Sequence, residues 1–260
     1  MTFLEKIINF KQEEVNAQSK IIPLQKLKDS QRLFNVRNFK ESLINNNISI
    51  IAEIKRKSPS ENNIFLEANP IEVAKTYEKN GASAISVLTD NNFFGGQLDF
   101  INLVKSVVNI PVLRKDFIIS EYQVWESFYI GADAILLIAD AIDYELLSSL
   151  NSLASELGMH VLLETHDIKN IKKIKSLNPE IIGINCRNLK TMETHLDWFT
   201  DAINDLPPNI IKVAESGIYL NSHLKEIEHL GYNAALIGSS LMKTKAPGNA
   251  LAKLLNRSPK

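Results

Sequence analysis

Apolar runs recur along the chain at 49–54, 83–88, 110–114, 133–138, 160–164, 181–185, 210–214 and 234–238. Several are continuous rather than alternating, which is how strands covered on both faces read. Between them the apolar period lengthens to that of amphipathic helices. Ile71, Val73, Ala74 and Tyr77 share one such face, and Leu146, Leu147, Leu150, Leu153 and Leu157 another. Gly81, Gly131, Gly158 and Gly231 each stand where a helix must stop before the next strand. Strand and helix alternate through all eight apolar runs with no Pro/Gly/Ser linker. This predicts an α/β fold, a (β/α)8 TIM barrel forming a single domain over 1–260. A doubly wound open sheet is the rival. It usually has fewer strands and a glycine-rich first turn, whereas the first run here ends in Glu53-Ile54-Lys55 with no GxGxxG after it.

Residues 1–45 lie outside the eightfold pattern and read as a helical N-terminal extension. Phe3, Leu4, Ile7 and Ile8 form one apolar stripe, and Phe39, Leu43 and Ile44 another. The extension is expected to pack on one end of the barrel.

Composition narrows the picture by exclusion. In 260 residues, 45% are hydrophobic and 23% charged, as in ordinary globular proteins with a large core. The net charge of −1 offers no basic stripe, so neither nucleic acid nor a membrane is expected as a partner. The run 134–139 is too short to span a bilayer, and the first residues carry an acid early and lack a leader-like apolar region. A single cysteine, Cys186, excludes an internal disulfide and suits a cytoplasmic location. The chain is expected to be a monomer. Lys169-Asn170-Ile171-Lys172-Lys173 reads as a solvated helix face.

Chemistry concentrates where parallel strands should end. Glu53 and Lys55 lie two apart on the first run and so point to the same side. Lys115 follows the third run, Glu164 ends the fifth, and Asn185 ends the sixth with Arg187 two positions on. In a barrel these ends converge on one mouth, where lysines and glutamates can divide acid and base roles. Any one of them alone reads equally well as a rim ion pair.

The last two runs end differently, in Ala214-Glu215-Ser216-Gly217 and Ile237-Gly238-Ser239-Ser240. Small residues in these loops let backbone N–H groups converge on a phosphate, with Gly238 leaving room for the ligand. The five histidines show no HExxH and no ligand cluster, so no metal is assigned; His166 reads as a loop residue close to Glu164. Ser58-Pro59-Ser60 reads as a turn and Cys186 as a small, partly buried spacer. Phe93, Phe94 and Phe117 fall in loops at the same face and suit an apolar wall for a ring-bearing substrate.

The chain resembles the indole-3-glycerol-phosphate synthase family of tryptophan biosynthesis over essentially its whole length. The resemblance is carried by IAEIKRKSPS at 51–60, SVLTD at 86–90, FFGG at 93–96, PVLRKDFI at 111–118, GADAILLI at 131–138, LLETHD at 162–167, IGINCRNLKT at 182–191, AESGI at 214–218 and LIGSSLM at 236–242. It implies a lyase that closes 1-(2-carboxyphenylamino)-1-deoxyribulose 5-phosphate to an indole, with loss of carbon dioxide and water and with no cofactor. It further implies Lys115 as general acid for ring closure and Glu164 as the acid/base for loss of the hydroxyl, the latter expected with a raised pKa. By the same resemblance Lys55, Glu53 and Asn185 complete the catalytic set. Arg187, Ser58, Phe94, Phe117, Leu189 and Glu215 contact substrate, and Ser216, Gly217, Gly238 and Ser239 hold its phosphate. Cys186, Ser240 and the glycine-free Glu61-Asn62-Asn63 depart from the family pattern. Two rival readings are a phosphoribosylanthranilate isomerase, which wants a Cys/Asp pair at the strand ends, and a barrel that only binds a phosphorylated ligand or a partner protein.

Overall fold

A computed structural model describes residues 2–188 and 193–260. Eight parallel strands close into a barrel in sequence order: β1 (Ser49–Ile54), β2 (Ala84–Leu88), β3 (Val112–Lys115), β4 (Ala134–Ile138), β5 (His160–Thr165), β6 (Ile181–Asn185), β7 (Ile211–Glu215) and β8 (Ala234–Ile237). β8 pairs back onto β1 through Ser49↔Ala234 to Ala52↔Ile237, which closes the ring. Lys115 is thus the last residue of β3 rather than the first beyond it.

The strands read as continuous apolar runs because both faces are covered. Ile51, Ala84, Leu113, Ala134, Leu162, Ile181, Val213 and Ala234 fill the barrel interior. Their neighbours Ile50, Ile85, Val112, Ile135 and Ile182 pack outward under the helices. Each such side chain, fully buried, contributes about 1.5–3 kcal/mol. The helices include α4 (Pro70–Lys79), α6 (Glu121–Ile130), α7 (Tyr144–Glu156) and α8 (Ile168–Lys175). On α4 the wholly buried Tyr77 also donates to Glu53 O at 3.2 Å, so the packing that holds the helix fixes the end of β1. α6 ends at Gly131, whose φ of 94° turns the chain back into β4 as its place in the sequence predicts. None of the helices among the described residues is long and apolar enough to cross a membrane.

The N-terminal extension covers both ends of the barrel, not one. α1 (Phe3–Ile21), started by a Thr2/Glu5 capping box, lies at the mouth, where Phe3 and Phe10 meet the edge of Phe93 at 5.8 and 5.7 Å. α2 (Leu24–Lys28) then runs down beside α6. At the far end Arg32 donates to Phe128 O at 3.0 Å, and Arg37 N to Asp133 Oδ1 at 2.6 Å. Phe39 and Leu43, both wholly buried, plug that end against the barrel interior. Ile44, expected on the same stripe, is 59% exposed, because α3 (Phe39–Ser42) is a single turn and the chain has left it by then.

Candidate active site

A cavity of about 950 Å³, open to solvent, lies at the carboxyl ends of the strands and is lined by residues from every βα loop except those after β4 and β5. Inward-pointing positions of alternate strands supply its floor. Lys115 Nζ sits between two buried carboxylates, 3.2 Å from Glu164 Oε2 and 3.6 Å from Glu215 Oε2. Glu53 Oε1 holds Lys55 Nζ at 3.1 Å, and Ser86 reaches Glu53 Oε2 at 3.5 Å. Asn185 donates to Glu164 Oε1 at 3.2 Å and accepts from Ser216 Oγ at 2.9 Å and from Arg187 N at 3.0 Å. One amide therefore ties the carboxylate floor to the loop after β7.

Burial works against the ammonium of Lys115, yet the carboxylates of Glu164, Glu215 and Glu53 outweigh it and raise its pKa, so it stays charged at neutral pH. Burial likewise favours a neutral Glu164. Lys115, His166 and hydrogen bonds from Glu215 and Asn185 overcome that and hold Glu164 down at about 2. Glu215 moves the other way, because burial and the nearby Glu164 charge both raise it. Their shared surroundings thus push the two glutamates apart, Glu164 toward the anion and Glu215 toward the acid. The expectation that Glu164 itself has a raised pKa is overturned: its contacts with Lys115 and Asn185 favour the anion.

Two glycines make room for these carboxylates. A Cβ on Gly183 would collide with Glu215 Oε1, and one on Gly238 with Glu53 Oε1. Gly238 lines the cavity as well, so its small size leaves the Glu53 carboxylate its place on that wall. The loop after β7 turns on two successive left-handed residues, Ser216 (φ 71°) and Gly217 (φ 70°). After β8, Ser239 and Ser240 open the one-turn helix Ser239–Met242 and precede its first backbone donor, Leu241 N to Gly238 O. Both segments line the cavity, from the β7–β8 side of the barrel.

From the β2–β3 side Phe94 and Phe117 line the wall, with ring centroids 6.1 Å apart. Phe93, grouped with them from sequence, instead packs against α1 and does not line the cavity. Ser58 and Ser60 line it from a short hairpin, Lys57–Ser58 with Asn62–Asn63, and Arg187 approaches Ser60 Oγ at 3.5 Å. Cys186 is buried and its thiol pushed up to about 12 by that burial, as a spacer should be. Leu189 lies outside the described residues.

Sequence reading missed four residues. Asp90 and Asp116, after β2 and β3, are buried beneath the cavity wall. The rule that located Lys115, charge at a strand end, reaches them too. Lys11 gave no such signal: it lies between Ile7 and Val15 on a buried helical stripe where a charge breaks the pattern. Asp140 is likewise absent from the sequence reading. It accepts from His166 N at 3.0 Å and places His166 behind Glu164.

The family model described as Indole-3-glycerol phosphate synthase matches residues 4–254. The chain is 45% identical over 240 residues to the indole-3-glycerol phosphate synthase of Leptospira interrogans, covering 92% of each chain. It is 40% identical over 253 residues to that of Alkaliphilus metalliredigens, covering 96% of this chain and 97% of the other. Among solved structures, the 3-hexulose-6-phosphate synthase of Salmonella typhimurium superposes with a TM-score of 0.64 at 13% identity, over 80% of this chain and 99% of that one. At that identity the likeness is one of fold.

Proposed function

Because the chain belongs to the indole-3-glycerol phosphate synthase family, we propose that its barrel mouth closes 1-(2-carboxyphenylamino)-1-deoxyribulose 5-phosphate to indole-3-glycerol phosphate, and we assign the steps to its residues as follows. The observation that carries the assignment is the placement of Lys115 between Glu164 and Glu215 on the floor of the cavity. An aromatic wall lines that cavity from the β2–β3 side and the paired small-residue loops line it from the β7–β8 side. A substrate with an anthranilate ring and a phosphate at its two ends spans such a cavity with its ketone over Lys115.

The ring carbon attacks the ketone, and negative charge develops on oxygen. Lys115, kept charged by its carboxylates, is the donor for that oxygen. Lys55, held at 3.1 Å by Glu53, faces the substrate carboxylate until it leaves as carbon dioxide. Loss of the resulting hydroxyl needs a second proton, and the single proton of the Glu164–Glu215 pair supplies it. Glu164, ionised again, takes the proton from the carbon beside nitrogen, and the indole is complete. Asn185 and Arg187 orient this floor, Ser58, Phe94, Phe117 and Leu189 contact the substrate, and Ser216, Gly217, Gly238 and Ser239 take the phosphate.

Turnover is read as indole fluorescence from the carboxyphenylamino substrate. Lys115→Met should cost at least ~10²-fold in kcat, the usual size of a general-acid effect. Rapid quench of Glu164→Gln should trap a closed, decarboxylated but still hydroxylated species. Near-native turnover of Lys115→Met, or an early block in Glu164→Gln, contradicts these roles.

A further inference from the structure

The reaction consumes one proton per turnover. The carboxylate leaves as carbon dioxide with its bonding electron pair kept by the ring. The ketone oxygen leaves as water. One of that water's protons is balanced by the proton lost from the carbon beside nitrogen, and the other has to come from solvent. The acid groups on the floor are deeply buried, so something must reload them.

His166 stands where a reloading group would be. It follows β5, two residues beyond Glu164, and does not line the cavity. Its Nε2 is buried without an aligned hydrogen-bond partner and stands 3.4 Å from Glu164 Oε1. Its Nδ1 lies 3.2 Å from Asp140 Oδ2, in the loop after β4. Asp140 is itself fixed, accepting from His166 N at 3.0 Å and from Asn170 Nδ2 at 2.8 Å. Lys173 on α8 ties down the same loop through Ala139 O at 3.1 Å and Ile142 O at 2.7 Å. Both side chains reach solvent, His166 being 10% and Asp140 17% exposed. An imidazole oriented by a carboxylate, with one nitrogen at a buried acid and an edge at the surface, is built to pass protons.

We propose that His166, oriented by Asp140, is a proton relay that brings the one missing proton from solvent through Glu164 to Lys115. After each turnover the pair has regained its proton from the carbon beside nitrogen, and Lys115 is the group left neutral. Nε2–H then passes a proton to Glu164, Glu164 passes one to the Lys115 amine 3.2 Å away, and the imidazole regains one from water. No other bond changes. The proposal rests on Glu164 handling protons, so Glu164→Gln is run beside it. If that variant turns over normally, the reading of Glu164 falls. If it is slow and the His166 variants are normal, only the relay falls.

The test is pre-steady-state fluorescence on His166→Ala and His166→Gln, with folding checked by thermal melting. A resting enzyme is already loaded, so His166→Ala should release one equivalent of product at the native rate. The steady state should then be slower by about 10²-fold, the usual size of a proton-transfer contribution. Imidazole added to the buffer should restore that steady state. His166→Gln, which keeps an N–H toward Glu164 but cannot pass a proton, should show the same burst and resist rescue. A merely positioning histidine predicts the opposite: a slowed first turnover, recovery by Gln and indifference to imidazole. Either that pattern or an unchanged steady state in His166→Ala overturns the relay.

Discussion

Lys11 of the N-terminal helix and Asp116 beyond β3 form an ion pair of 3.0 Å from which solvent is all but excluded. The same ammonium lies 3.0 Å from Asp90 Oδ2 and 3.1 Å from Glu14 Oε1. Each aspartate shapes a part of the cavity wall. Asp90 Oδ1 accepts from Phe93 N and Phe94 N at 2.7 and 3.2 Å, and Asp116 Oδ1 accepts from Phe117 N at 2.8 Å. One lysine outside the barrel therefore sets two loops that carry the aromatic wall, next to Lys115.

Lys11→Met should leave the buried Asp90 without its cation and Asp116 with Arg114 alone. Breaking such a pair from one side costs about 3–5 kcal/mol, so the melting temperature should fall by several degrees. KM should rise as Phe94 and Phe117 lose their seating, with kcat less affected because Lys115 keeps Glu164 and Glu215. Melting curves and steady-state kinetics read the two effects separately. A stable variant with native KM contradicts the link between helix and wall.

The same cluster predicts acid sensitivity. Burial would raise Asp116, but Lys11, Arg114 and Thr89 overcome it and lower the group from 3.8 to about 2. A carboxylate depressed in the folded state stabilises the fold at pH values above its unfolded pKa. That stability drains away as pH falls from about 4 toward 2 and amounts to about 2 kcal/mol. Urea midpoints of the wild type should drop over that window, and Asp116→Asn, weaker at neutral pH, should show a shallower drop. Parallel pH curves for the two proteins contradict the assignment.

How far the sequence foretold this molecule depends on the kind of signal. The barrel strands were legible because two-sided burial writes continuous apolar runs, and the ends of those runs exposed Glu53, Lys115, Glu164 and Asn185. Lys11 was illegible because a buried lysine looks like a surface one until its carboxylates, 79 and 105 positions away, are folded onto it. The raised pKa of Glu215 was illegible for a similar reason: it depends on burial and on the placement of Glu164 and Lys115, not on residue type. Gly238 shows a third limit. The sequence marks it as small, but not that a Cβ there would also collide with the Glu53 carboxylate.

Gly183 gives a cleaner probe of the shared proton than any change at the glutamates. A Cβ there would collide with Glu215 Oε1 and stand 3.2 Å from Leu162 Cδ1, so the carboxyl has to swing away. Gly183→Ala should loosen the Lys115–Glu215 contact and lower kcat by up to ~10²-fold, as small misplacements of reacting groups do. KM should hardly move, since Gly183 does not line the cavity. A native kcat in the folded variant means that Glu215 is not needed where it stands.

Glu61 makes the last prediction, because it brings a carboxylate to the loop assigned to phosphate. Its side chain pairs with Lys243 Nζ at 2.9 Å across the mouth. Burial would raise its pKa, but hydrogen bonds from Lys243 and Ser239 hold it lower, so it is an anion at neutral pH. Ser239 is one of the proposed phosphate donors, and the substrate phosphate carries the same sign as Glu61. Binding must then either displace this carboxylate or tolerate it, and like charges so close oppose each other. Glu61→Gln keeps the size and the hydrogen bonding but removes the charge. It should lower KM for the phosphorylated substrate several-fold, roughly the size of one like-charge contact near a protein surface, and tighten competition by inorganic phosphate in parallel. Rising salt should narrow the gap between variant and wild type by screening the same repulsion. If Glu61→Gln instead raises KM and weakens phosphate, the Glu61–Lys243 pair organises the mouth for substrate and the carboxylate is not its competitor.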